Sequence, residues 1–317
     1  MKVLIVIVNY RSAELCADCL DSLDGEFRSF SPADIAAVIT DNASRDGSGG
    51  RLAEIAQSGG RGAWCRFVQL GRNGGFAYGN NAALPPVGEL PPYVLLLNPD
   101  TVVRRGAIGK LVDFMERNPR AGIVGSRLED PDGTAQVSAF NFPTVLSELE
   151  GSARLGVVTR LLRRFMIAPP VRDGAHRCDW VAGACMLIRR EVFRDVGLLD
   201  EKYFMYYEEV DFCLRAARAG WECWYEPAAR VVHLVGQSSG VTDTKKPPRR
   251  LPGYWFESRQ RYFRKNHGSA YAVAADFAWF VGRCIHVVAR TLRGRPNVDP
   301  PFMVRDFLVR AFHRKAA

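Results

Sequence analysis

Lysine is scarce in this sequence, and arginine supplies most of its 43 basic residues; against 34 acidic ones the net charge is +9. A surface of that sign attracts polyanions, anionic lipid head groups or phosphorylated small molecules, and arginine suits bidentate phosphate contacts. There is no RNP-like aromatic motif, zinc-finger spacing or basic recognition helix, so nucleic acid is not an expected partner. Neither GK[ST] nor GxGxxG occurs, which excludes the P-loop and the dinucleotide fingerprint. The chain has no uninterrupted apolar run of ~20 residues. Its nearest approach, Tyr271 to Leu292, is broken by Asp276, Arg283, His286 and Arg290, so a membrane span is not expected. With Trp279, Phe280 and flanking arginines, that stretch suits either an anionic membrane surface or packing on the main domain. No secretory leader precedes the first apolar run, since Met1-Lys2 leads directly into VLIVIVNY. A cytoplasmic protein with reduced thiols is therefore expected, its eight scattered cysteines included. Cys16 and Cys19 form a CxxC, but Leu15, Leu20 and Leu23 put them on an apolar helix face, which indicates core packing.

What is present is a soluble globular composition, 47 % hydrophobic and 24 % charged over 317 residues. Val3 to Val8 is apolar throughout, as a strand buried on both faces of a parallel sheet requires. It ends in Asn9-Tyr10, and Ser12 can cap a helix running to about Leu23. Ile35 to Thr40 repeats the pattern and ends in Asp41-Asn42. Trp64 to Leu70 leads into GRNGGFAYGNN (71–81), whose glycines permit a tight turn ahead of a helix N-terminus open to an anion. Tyr93 to Leu97 ends in Asn98-Pro99-Asp100, where a carboxylate at a strand's edge can ligate Mg²⁺ or Mn²⁺ or simply cap a turn. Alternation of strand, polar turn and helix predicts a doubly wound α/β domain with its ligands outside the carboxyl ends of the strands. A helix over Ala107 to Asn118 and a strand over Ile123 to Ser126 close its first half. From Phe140 to Ala175 the pattern loosens into an arginine-rich, partly helical segment, a lid or acceptor loop on one reading and a solvated insertion on the other. The Gly/Ser/Pro stretch GQSSGVTDTKKPPRR (236–250) reads as a flexible basic loop able to close over a diphosphate. ESRQRYFRK (257–265) reads as a basic helix.

One stretch concentrates unusual chemistry. Behind Tyr203, Phe204, Tyr206 and Tyr207 stand Glu208, Glu209 and Asp211, three carboxylates in four residues. Like charges so close raise one another's pKa, whereas a helix N-terminus welcomes negative charge through its free N–H groups. Capping and catalysis both fit, and the stretch alone does not separate them.

Together the motifs VIVNY, TDNASRDGS, GRNGGFAYGNN, LLLNPDT, VAGACMLIRREVF, GLLDEKYFMYYEEVDFCLRAARAG and VVHLVGQSSG resemble glycosyltransferase family 2, the inverting GT-A enzymes, and its rhamnosyltransferase-like branch, over roughly Lys2 to Lys265. The resemblance implies a GT-A fold: a Rossmann-like, mostly parallel α/β sheet flanked by helices. The catalytic domain would be 1–240, with a donor-binding half to about 126 and an acceptor half over 127–240, followed by a basic helical extension over 241–317. It further implies that Asn9, Tyr10, Asp41, Asn73, Asn80 and Asn98 surround a nucleotide-sugar. Asp100, in the place of the family's DxD, and His233 would hold Mg²⁺ or Mn²⁺. Glu208-Glu209 occupies the position of a Glu-Asp pair whose second member is the general base. Glu209 is the first choice, and Asp211 either an alternative base or an anchor for Arg215. The expected reaction moves a sugar, L-rhamnose from dTDP-L-rhamnose by branch, onto a lipid-linked or growing bacterial surface glycan. The expected location is the cytoplasm, peripheral on the inner face of the plasma membrane; an oligomer is left open. QxxRW is absent, since Gln260-Arg261-Tyr262 does not match it, which implies one or a few additions. A UDP-hexose donor, a non-catalytic glycan- or nucleotide-binding subunit and a nucleotidyltransferase are the competing readings.

Overall fold

The computed structural model describes residues 1–27, 34–234 and 248–312. Strand β1 (Val3–Asn9) is buried at every position, and helix α1 (Ala13–Phe27) turns Cys16, Cys19, Leu20 and Leu23 into the core. The CxxC is therefore packing. Next come β2 (Ile35–Asp41), α2 (Ser48–Gln57), β3 (Cys65–Gln69), α3 (Gly75–Ala83) and β4 (Tyr93–Leu97). Strands β3, β2, β1 and β4 lie side by side in that order, all parallel. Their carboxyl ends share one edge of the sheet, the edge at which ligands bind in such folds.

The second half contains β5 (Thr101–Val103), α4 (Ala107–Arg117), β6 (Ala121–Glu129), β7 (Ala139–Phe140), α5 (Val145–Ala153), α6 (Gly156–Leu162), β8 (His176–Cys178) and β9 (Trp180–Val181). After these follow β10 (Cys185–Arg189), α7 (Arg190–Val196), α8 (Glu208–Arg218) and β11 (Glu222–His233). Here the sheet is mixed. Strand β10 inserts between β4 and β6, antiparallel to both. Strand β11 pairs parallel with β6 and antiparallel with β5, placing His233 opposite Thr101.

Three C-terminal helices follow: α9 (Gly253–His267), α10 (Ser269–Leu292) and α11 (Met303–Phe312). The basic helix read from ESRQRYFRK is α9, but its central charge points inward. Arg259 is 2 % exposed and donates to Glu148 at 2.9 Å and Asp276 at 2.5 Å. Tyr262 and Phe263 pack with Tyr203, Val210 and Leu214, so α9 is a structural wall behind α8. The loosely patterned segment after Phe140 also proves more regular than expected. Thr144 caps α5 through a reciprocal capping box with Ser147, and α5 lies against α10. Gly282 marks that contact, since a Cβ there would stand 2.0 Å from Ser152 Oγ. The anticipated basic loop over the diphosphate falls almost wholly outside the described residues, as does the boundary at 240/241.

Candidate active site

A cavity of about 410 Å³ opens at the carboxyl edge of the parallel strands. Of the residues singled out from sequence, Tyr10, Asn73, Asn98, Asp100, Glu208, Glu209 and His233 line it. They come from points scattered over most of the chain, and the sheet edge collects them.

Asn9, Asp41 and Asn80 stand behind this lining. Asn9 and Asp41 are fully buried at the ends of adjacent strands. Asn9 Nδ2 donates to Asp41 Oδ1 at 2.7 Å, while Asn9 Oδ1 accepts from the Ser12 N–H and hydroxyl. Asp41 Oδ2 accepts from the Ser44 N–H and from Gln69 Nε2, each at 2.8 Å. With every oxygen engaged, this pair fixes the turns after β1 and β2, which carry Tyr10 and Asn42 to the cavity. Asn80 is buried in α3, its Nδ2 donating to Phe76 O at 2.9 Å. Two polar lining residues were not picked out from sequence. Asn42 donates through Nδ2 to Gly75 O at 3.0 Å and leaves its buried Oδ1 without a hydrogen bond; its place beside Asp41 was the available signal. Gln136 bridges Asp130 and the His233 carbonyl, and nothing in its sequence surroundings marks it.

Asp100 is 1 % exposed and His233 Nε2 lies 3.5 Å from its Oδ1. The pairing of β11 with β5 brings them together, and the Leu234 N–H, donating to Asp100 O at 2.9 Å, locks the juxtaposition.

Across the same cavity stands the start of α8. Tyr206 and Tyr207 precede it with φ of 69° and 70°, a left-handed conformation that side chains other than glycine adopt at a cost of about 1–3 kcal/mol each. Their surroundings hold them there: Tyr207 packs on Tyr262, and Tyr206 and Phe204 on Tyr254. Gly75 locks the preceding segment from the other side. It has φ of +88°, and a Cβ on it would fall 1.8 Å from Phe204 O, the same carbonyl that accepts from the Phe76 N–H at 2.9 Å. No side chain caps α8. Burial, and then the neighbouring Glu209, pushes the Glu208 carboxyl well above its ordinary range. Burial likewise raises Glu209, to about 7, against the pull of backbone N–H groups at the helix start. Each keeps a buried Oε2 without a hydrogen bond.

Asp211 lies apart from the cavity lining. It is fully buried and accepts from Tyr203 Oη at 3.2 Å, Arg215 Nε at 2.9 Å, Lys265 Nζ at 2.7 Å and Asn266 Nδ2 at 2.9 Å. Of its two alternatives, the geometry matches the anchor.

A cavity at the strand edge, a buried carboxylate poised near neutrality and an Asp–His pair opposite suit group transfer from an anionic donor. The match to a known family is direct: residues 2–265 fit the model described as "Glycosyltransferase like family 2". The chain belongs to this family. Among curated relatives, the Mycobacterium tuberculosis N-acetylglucosaminyl-diphospho-decaprenol L-rhamnosyltransferase is 30 % identical over 300 residues, covering 89 % of this chain and 87 % of the relative. The Escherichia coli rhamnosyltransferase WbbL is 31 % identical over 168 residues, or 51 % of this chain and 61 % of that protein. Among solved structures, the mannosyltransferase PcManGT of Pyrobaculum calidifontis, in complex with GDP-Man and Mn²⁺, superposes with a TM-score of 0.55 at 16 % identity, over 93 % of this chain and 76 % of that one. The fold is GT-A, with helices added at the C-terminus, and the protein is a glycosyltransferase.

Proposed function

We propose that this glycosyltransferase moves L-rhamnose from dTDP-L-rhamnose onto a lipid-linked or growing glycan, with inversion at the anomeric carbon, as a cytoplasmic protein peripheral to the inner face of the plasma membrane. The observation that carries the mechanism is Glu209, whose carboxylate lines the cavity, meets no cation among the described residues and is raised by burial to about 7. Such a group accepts a proton from an attacking hydroxyl near neutral pH. Glu208 stands beside it, its own carboxyl pushed well above the ordinary range by burial and then by Glu209. Tyr10, Asn73 and Asn42 surround the space for the nucleotide-sugar, with Asn9 and Asp41 fixing the turns beneath. Asp100 and His233 offer one hard oxygen and one imidazole nitrogen, a set that fits Mg²⁺ or Mn²⁺. Among the described residues no group of three or more His, Cys, Asp or Glu stands ready to hold an ion, so donor phosphate oxygens and water would complete the shell. When bound, the ion offsets the charge that grows on the departing diphosphate. Rhamnose is favoured over a UDP-hexose by the names of the two curated relatives, both rhamnosyltransferases.

Calorimetry with dTDP-rhamnose, UDP-glucose, UDP-galactose and UDP-N-acetylglucosamine, with and without Mn²⁺ or Mg²⁺, tests the donor. Metal-assisted binding of dTDP-rhamnose alone is expected. Preference for a UDP-sugar would overturn the rhamnose assignment and keep the reaction class.

A further inference from the structure

Helix α10 is 24 residues long, and its two faces differ completely. The inner face buries Ala272, Ala275, Ala278, Trp279, Gly282 and Arg283. All of its titratable groups except the thiol of Cys284 lie toward that side: Asp276 on Arg259, Arg283 and Arg290 on Asp299, and His286 close to Asp299. The outer face carries, at steps of four or seven residues, Val273 (65 % exposed), Phe277 (68 %), the small Cys284, Val288 (58 %) and Leu292 (83 %), with Ala274 exposed beside Val273. At ~1.5 Å per residue this is an uncharged stripe roughly 30 Å long. Solvent-exposed apolar surface of that extent marks a binding site rather than ordinary exterior.

In length and composition α10 could cross a membrane, against the expectation from its charges. Its inner-face contacts forbid it. Spanning would strip Asp276, Arg283 and Arg290 of their partners, and breaking even one buried pair costs about 3–5 kcal/mol. The helix must therefore lie in the plane of whatever it binds.

We infer that the outer face of α10 is a membrane-docking surface that seats this enzyme flat on an anionic bilayer. Charge selects the lipid over a second copy of the chain. Arg264 is exposed just before the helix, and Arg293 and Arg295 are exposed just after it. Two copies joined along the stripe would set Arg293 against Arg264 when antiparallel and against itself when parallel, a repulsion either way, whereas anionic head groups neutralise both ends. Helix α6, which follows the α5 that supports α10, repeats the pattern, with Val157 and Leu161 exposed at 66 % and 76 % and Arg160, Arg163 and Arg164 beside them. An apolar face bordered by arginine is the composition of interfacial helices.

This inference rests on the peripheral placement proposed above and names the surface that produces it. The test is co-sedimentation of the full chain with vesicles of equimolar phosphatidylglycerol and phosphatidylcholine, against pure phosphatidylcholine, at low and high salt. Selective binding to the anionic vesicles, weakened by salt, is expected. Phe277→Asp with Val288→Asp, both on the outer face, should lower that binding at least ~tenfold while leaving the thermal melt and dTDP binding unchanged. Arg293→Ser with Arg295→Ser should remove part of the salt-sensitive component only. Wild-type binding that the aspartate pair leaves intact would overturn the assignment of α10 but keep a peripheral protein. No wild-type binding overturns both, and a dimer in sedimentation equilibrium that the same pair dissolves would give the stripe to a second copy. The donor panel is read separately, so failure of the rhamnose assignment leaves this result unaffected.

Discussion

Glu209 and Asp211 stand two residues apart on one helix, and the protein treats them in opposite ways. Asp211 is satisfied by four donors, two of them cationic. Its neighbour Asp200 shares Lys265; burial works against its ionisation, but hydrogen bonds from Lys265 and Arg261 outweigh that and hold it at about 2. Among the described residues Glu209 meets no cation, and burial leaves it raised to about 7. A carboxylate surrounded by cations is a structural anion, whereas one that is desolvated without them is a base in waiting. Rigid support for the second comes from the first, because Asp211 ties α8 to α9 through Lys265 and Asn266 and so fixes the turn from which Glu209 projects.

The comparison breaks most clearly at Glu209. Glu209→Gln keeps the shape and removes the proton acceptor, so turnover with dTDP-rhamnose should fall by about 10³–10⁴ with donor affinity unchanged by calorimetry. Retained turnover would move the base elsewhere in the cavity. At Asp211 the roles reverse. Asp211→Asn leaves Arg215 and Lys265 short of a buried counter-charge, and about 3–5 kcal/mol of stability should be lost, read as a lower denaturation midpoint. Any activity that survives in the folded fraction should show an unchanged pH profile, since Asp211 does not touch the reacting atoms; an altered profile would return it to the site.

Asp100 lies between these extremes, with one imidazole 3.5 Å away. Asp100→Ala should weaken dTDP-rhamnose binding by about a hundredfold with Mn²⁺ present and by far less without it. His233→Ala should do the same to a smaller degree. Equal losses with and without metal would assign the pair to direct donor contact.

Much of this was readable before the fold was known. Apolar runs gave the strands of the parallel half, and a strand ending in Asn9, Asp41 or Asp100 marked the edge where the cavity opens. The clustered carboxylates before an amphipathic pattern marked α8. Three things were hidden, each because it depends on residues distant in sequence. Whether Asp211 was base or anchor turned on Lys265 and Asn266, more than fifty positions away. The apparent basicity of ESRQRYFRK concealed inward pairing with Glu148, Asp276 and Asp200. Sequence could not show that the oxygens of Asp41 are engaged by Asn9, Ser44 and Gln69 behind the cavity lining.

The smallest expected effect separates a base held ready from a carboxylate that is merely strained. In the folded protein Glu209 gives up its proton at about 7, against an ordinary 4.5. Between those values the folded chain retains a proton that the unfolded chain has released, so the contribution of Glu209 to stability is most favourable below pH 4.5, declines as pH rises toward 7 and is level above it. Glu209→Gln removes that group's share of the dependence and leaves the part that burial gives Glu208. Its advantage over wild type should be absent below pH 4.5, grow through the window and reach about 2 kcal/mol at pH 8, taking a full shift as ~3 kcal/mol and allowing for water in the cavity. Urea titrations at pH 4.5, 6 and 8 measure it. The rate of the wild-type enzyme should rise across the same interval, because the form that destabilises the fold is the form that accepts the proton. A stability difference without the matching rise in rate would leave Glu209 strained but uninvolved.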